Sequence, residues 1–212
     1  MACRWRLSAY QVPRAVILTT KKYSLIMEKK VYVLLADGFE IIEALAPVDI
    51  LRRCNLDVCT VAIGDSTTVC SSNNIKVEAD MLMGDGSALR EGDALILPGG
   101  YPGYYNLCRS ATVGELAKHF YNSGRLLAAI CGGPTVLKEY DIALGKNITC
   151  HNSVEHEMEK THSLNRCTVC EDGNLITAKG AGWSVDFAIA IARRLVDNDT
   201  ITKLFQGIQF PV

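Results

Sequence analysis

Residues 31–51 read VYVLLADGFEIIEALAPVDIL. The first six positions are an unbroken apolar run, the pattern of a strand covered on both faces. Ile41, Ile42, Leu45, Val48 and Leu51 then recur at helical spacing, so a helix packs behind that strand. The strand signature returns in VCTVAI (58–63), ALILP (94–98) and LLAAI (126–130), with helical stretches over 111–122, 133–140 and 183–196. NITC (147–150) and the segment 167–178 add strands near the end. Strand and helix in alternation predict a mostly parallel sheet with helices on both faces, the doubly wound α/β class. Such sheets bind ligands beyond the carboxyl ends of their strands. The loops ADGFE, PGGYPG and CGGP are therefore the places where chemistry is expected.

The chain has 212 residues, 49% hydrophobic and 21% charged, which suits one core and one domain over 27–212. Its 22 basic and 23 acidic residues leave a formal charge of −1, without the positive field that nucleic acid or an anionic membrane surface recruits. No apolar run reaches the ~18–20 residues needed to span a bilayer. Nine cysteines, an odd number without the regular spacing of a secreted disulfide scaffold, point to a reducing, cytoplasmic setting. Residues 1–26 carry three arginines, two lysines and no acid. They read as a disordered or non-native extension rather than a transit peptide, because EKKVYVLLADGFE after Met27 makes a natural chain start.

Cys167 and Cys170 spell CxxC within RCTVCEDGNLITAKG, where two strand-like runs flank Asp172-Gly173, a hairpin signal. In an extended strand, positions three apart face opposite sides at roughly 10 Å, too far for a disulfide or a shared metal. The expectation is two unrelated strand cysteines.

In AAICGGP a cysteine ends a buried strand and two glycines and a proline follow. This is the layout of a nucleophile elbow, with Cys131 exposed above the sheet and small residues allowing close approach. Pro134 suits the first turn of the next helix, whose N-terminal partial charge would favour thiolate over a thiol of ordinary pKa about 8.5. The competing reading is a buried structural cysteine. Gly99-Gly100 in LPGG offers backbone N–H groups for a second oxyanion donor. Glu40 and Glu43 open the first helix, and Glu43 lies among apolar neighbours, where a carboxyl near a thiolate would keep its proton and donate to sulfur.

With these loops in one chain, the sequence resembles the ThiJ/PfpI superfamily, in particular the branch containing the Parkinsonism-associated protein deglycase. The match runs from about Val31 to Phe205 and rests on LADGFEIIEALAPVD, LPGG, AAICGGPTVL, NITCHN and TAKGAG, in order. The resemblance implies a flavodoxin-like sandwich that dimerises and needs no cofactor. It implies Cys131 as nucleophile, Glu43 as its protonated partner, Gly100 and Gly132 as oxyanion donors, and His151 beside the cysteine. Arg53 would border the pocket and hold an anion, and Glu40 at the helix start would share in binding substrate or anion. Three departures bear on the pocket: Asn73 stands where a second arginine is usual, Tyr101 where an asparagine often follows LPGG, and Gly180-Ala181-Gly182 before Trp183 where Gly-Pro-Gly is usual.

The implied activity is cysteine-dependent chemistry on glycating dicarbonyls such as methylglyoxal, either free or as protein adducts. The alternative is a redox sensor or stress chaperone that uses the same oxidisable cysteine. A peptidase would carry histidine directly after the cysteine, where Gly132 stands, and a glutamine amidotransferase would carry a later His-x-Glu, absent after His162. No GxxxxGK[ST] phosphate loop is present. His151, His156 and His162 in HNSVEHEMEKTH lack HExxH or paired CxxC spacing, so no metal site is expected.

Overall fold

The computed structural model describes residues 29–211, and the extension expected over 1–26 lies outside the described residues. In chain order the elements are β1 (Lys30–Leu35), α1 (Ile41–Arg53), β2 (Asp57–Ala62), β3 (Thr68–Cys70), β4 (Lys76–Glu78), β5 (Met81–Leu82), β6 (Ala94–Leu97), α2 (Gly103–Arg109) and α3 (Ala111–Asn122). They continue with β7 (Leu126–Ile130), α4 (Thr135–Glu139), β8 (Asn147–Ile148), α5 (Glu155–Met158), β9 (Ser163–Leu164), β10 (Val169–Asp172), β11 (Leu175–Ala178), α6 (Ser184–Leu195) and α7 (Asn198–Ile208).

Seven strands form the central sheet in the order β10-β11-β7-β6-β1-β2-β5. Its neighbours are parallel except β10 and β11, which pair antiparallel. The apolar run that opens β1 is buried on both sides because its period-two side chains feed two cores. Val31, Val33 and Leu35 join Leu51, Phe187 and Ile191 on the α1–α6 face. Tyr32, Leu34 and Ala36 join Leu116, Phe120 and Leu137 on the α3–α4 face. The doubly wound reading is thus the observed architecture. It places the carboxyl ends of β1, β6, β7 and β11 along one edge.

The Asp172-Gly173 signal is a tight hairpin, with Gly173 at φ 67° between β10 and β11. NITC shortens to the two residues of β8, which pair with β9 in a separate small sheet. The helix after the elbow is five residues long, preceded by turns closed at three-residue spacing from Ile130 to Pro134. The β3–β4 hairpin, α2 and α7 lie outside the sequence expectation. Each β3–β4 strand is only three residues long, and α2 starts within a Gly-Pro stretch where Tyr104 N–H bonds back to Gly100 C=O at 2.8 Å.

Helix α3 approaches α4 closely at Gly114. A Cβ there would come within 2.2–2.4 Å of the Tyr140 ring, and that ring is tethered by its hydroxyl, which donates to Cys108 C=O at 2.9 Å. Gly114→Ala is expected to cost about 1–3 kcal/mol through overpacking, read as a lower urea midpoint with an unchanged slope.

Candidate active site

At the end of β7 the chain turns sharply, and Cys131 takes φ 63°, a left-handed conformation that a non-glycine residue holds only under constraint. The constraint is visible. Cys131 N–H donates to Ala178 C=O at 2.9 Å, and Cys131 C=O accepts from His151 N–H at 2.9 Å. The two glycines that follow are required by proximity. A Cβ on Gly132 would strike the Tyr104 ring at 2.4 Å, and one on Gly133 would strike Leu97 C=O at 2.3 Å. The thiol therefore emerges half-buried between the ends of β6, β7 and β11.

Glu43 meets it from α1. Its side chain is hydrogen-bonded with Cys131, and it accepts N–H bonds from Gly99 (Oε2, 2.9 Å) and Ala181. Glu40 caps the helix by accepting Glu43 N–H at 2.8 Å, and so orients the glutamate that follows. Glu43 is 1% exposed. Burial raises its pKa from 4.5 to about 7, against the lowering effect of its hydrogen bonds to Cys131, Gly99 and Ala181.

Burial also pushes the Cys131 thiol up to about 12, with the Glu43 charge and the Glu43 hydrogen bond adding to it. Only the N–H groups of Gly100 and Gly132 pull the other way. The thiol lowered by a helix terminus, expected from the sequence, is corrected: a five-residue helix supplies too little dipole to outweigh burial beside a carboxyl. Cysteine and glutamate behave as a pair that gives up one proton near 7 and the second only near 12. Over the neutral range one proton is held between sulfur and carboxyl.

Gly100 and Gly132 both aim their N–H groups at sulfur. His151 is exposed, and its Nδ1 accepts from Ser153 N–H at 3.2 Å, which puts the neutral ring's proton on Nε2. Gly180 lies among the three side chains. A Cβ on it would come within 3.6 Å of His151 Cδ2, 3.7 Å of Glu43 Oε1 and 3.8 Å of Cys131 Sγ. Arg53 stands elsewhere: it is ten residues along α1 from Glu43, a rise of roughly 15 Å, and pairs with Asp49 at 2.8 Å. Asn73 lies in the β3–β4 turn, and Tyr101 is 71% exposed.

Gly99, expected to offer its N–H to an oxyanion, instead donates to Glu43. Two site residues escaped the sequence reading. Ala181 acts through its backbone N–H, which leaves no mark on side-chain pattern. Tyr104 walls the elbow over Gly132, and its ring lies 6.1 Å from that of Tyr101. The doubled tyrosine in YPGYYN was the available signal.

A cysteine elbow on a flavodoxin-like sheet, facing a buried carboxyl and two backbone N–H donors, defines a class of thiol-bearing α/β proteins. Residues 29–194 match the model of the DJ-1/PfpI family, and the chain belongs to that family. It is 32% identical over 183 residues to Protein dj-1beta of Drosophila melanogaster, covering 86% of this chain and 97% of that one. The crystal structure of Drosophila melanogaster DJ-1beta superposes with a TM-score of 0.84, covering 88% of this chain and 100% of that chain. Similarity extends to the Parkinson disease protein 7 homolog of Danio rerio, at 34% identity over 83% of this chain and 94% of that one. It extends also to the glutathione-independent glyoxalase DJR-1.2 of Caenorhabditis elegans, at 32% identity over 80% of this chain and 89% of that one.

A buried acid titrating above its unfolded value stabilises the fold fully below pH 4.5, and that contribution is lost as pH rises through about 7. Glu43→Gln removes the loss. The variant is expected to match wild type near pH 4 and to exceed it by about 3 kcal/mol near pH 8, measured by urea unfolding at both pH values.

Proposed function

We propose that this chain is a cofactor-independent, cysteine-dependent enzyme that acts on methylglyoxal-type dicarbonyls, free or as early adducts on proteins. The observation that carries the reading is the contact of the half-buried Cys131 thiol with the buried Glu43 carboxyl, beside the N–H groups of Gly100 and Gly132. The family supports it through the relative named a glutathione-independent glyoxalase.

In this reading the proton rests on Glu43 when substrate arrives, and the Cys131 thiolate adds to the aldehyde carbon. Glu43 gives its proton to the new oxyanion, which the Gly100 and Gly132 N–H groups hydrogen-bond, leaving a hemithioacetal and a Glu43 carboxylate. Glu43 then removes the proton from the former aldehyde carbon and returns one to the neighbouring carbon, converting hemithioacetal to hydroxy-thioester. Water cleaves the thioester, releasing a 2-hydroxy acid and restoring the pair. Addition, isomerisation and hydrolysis together consume one dicarbonyl and one water. His151, whose Cδ2 edge borders Gly180, would steady substrate oxygen through Nε2–H in this reading. Glu40 serves by capping the helix that carries Glu43. Arg53 as an anion holder rests on the family resemblance alone.

Lactate formation from methylglyoxal is expected to vanish in Cys131→Ser. Iodoacetamide labelling of Cys131 should rise with a midpoint near pH 7 in wild type and lose that midpoint in Glu43→Gln. Turnover retained by the serine variant would remove the enzyme reading. The half-buried thiol facing two N–H donors also suits a sulfinate, so a redox-sensing role at the same cysteine is the second reading. Clean sulfinate formation under dilute peroxide, without any turnover, would favour it.

The proposal includes a homodimer in the cytoplasm. Ile42 and Val185 are exposed on neighbouring helices, beside a hollow of about 420 Å³ lined by Ala46, Ile50, Ile208 and Phe210. An apolar surface of this kind suits a second copy. Light scattering is expected to give twice the chain mass, and Ile42→Glu to reduce it to one. Among the described residues no helix is long and apolar enough to cross a membrane.

A further inference from the structure

The structure overturns the reading of Cys167 and Cys170 as unrelated strand cysteines. Cys167 precedes the strand: it and Thr168 form a bend before β10 begins at Val169, and Cys167 N–H turns back onto Asn165 Oδ1 at 3.2 Å. The bend shortens the motif. It sets the two side chains close enough for Cys167 to push up the Cys170 thiol.

Both cysteines are free, and they differ in access. Cys170 is buried, at 5% exposure, while Cys167 is half-buried. β10 is the outermost strand of the sheet, and Cys167, just before it, keeps part of its surface in solvent. The pair is separate from the elbow: Val169 pairs with Ala178 and Ala178 with Ile130, two strand spacings or roughly 10 Å across the sheet.

We propose that Cys167 and Cys170 form a second thiol site, a dithiol that hydroperoxides oxidise to an intramolecular disulfide. Cys167, as thiolate, attacks the outer peroxide oxygen, breaks the O–O bond and becomes a sulfenic acid while the alkoxide or hydroxide leaves. Cys170 sulfur then attacks Cys167 sulfur, the S–O bond breaks, and hydroxide leaves with the Cys170 proton as water. Two thiols and one hydroperoxide give one disulfide, one alcohol or water, and one further water. The order follows from the environment. Cys167 is half-buried and reachable by peroxide, whereas Cys170 is buried and its thiol is pushed up, chiefly by burial, so Cys167 is attacked first and Cys170 resolves. A disulfide requires the sulfurs to close to about 2 Å. Cys167 lies outside the β10–β11 ladder and is free to make that movement.

Trypsin cleaves after Arg166 and Lys179, which leaves both cysteines on one peptide, 167–179. The reduced full chain is treated with a few equivalents of hydrogen peroxide, denatured, alkylated with N-ethylmaleimide and mapped by mass. The expected product is that peptide lighter by two hydrogens, refractory to maleimide until reduced. Cys170→Ser should halt Cys167 at a dimedone-trappable sulfenic acid, and Cys167→Ser should leave Cys170 fully alkylated. Full alkylation of both cysteines at a dose that oxidises Cys131 would overturn the proposal, as would unpaired passage of Cys167 to sulfinic acid.

Discussion

The site depends on how one backbone residue is held. Cys131 would not keep φ 63° on its own account, since the left-handed region is costly for a side chain with a Cβ. Its N–H is taken by β11 and its carbonyl by the segment after β8, so two separate parts of the chain fasten the same peptide from opposite sides. With those bonds made, the thiol has one direction left to it. That direction leads to Glu43 and to the N–H groups of Gly100 and Gly132.

Burial and hydrogen bonding compete at the Cys131–Glu43 contact. Burial disfavours both anions, and two adjacent negative charges disfavour each other, so the doubly ionised pair is reached only near 12. Four backbone N–H groups, of Gly99, Ala181, Gly100 and Gly132, and the Cys131–Glu43 hydrogen bond soften the penalty for a single charge, and the first ionisation falls near 7. A sulfur nucleophile can therefore be available at neutral pH without an unusually acidic thiol. Availability is governed by where one shared proton resides.

The sheet was legible in the apolar runs of β1, β2, β6 and β7, because strands covered on both faces must be apolar at every position. Cys131 and its two glycines were legible as a corner, and Glu43 as an acid amid Ile41, Ile42 and Leu45. The direction of the thiol shift was not legible, since it compares burial with the dipole of a helix whose length the sequence overstated. Tyr104 was hidden because its partner, Gly132, is distant in the chain. The CxxC was misread for a smaller reason: β10 begins two residues beyond Cys167, and that boundary decides whether two sulfurs diverge or meet. Arg53 entered by resemblance alone, and within one chain the length of α1 keeps it from the elbow.

The groups around Cys131 come from positions 43, 99, 100, 151 and 180, in four stretches that share no local structure. No fragment holding the elbow alone reproduces their company. In an unfolded or nascent chain Cys131 is an ordinary thiol, one of nine. Its distinctive chemistry is an emergent property of the completed sheet, switched on late in folding and extinguished by any opening that parts β7 from β11.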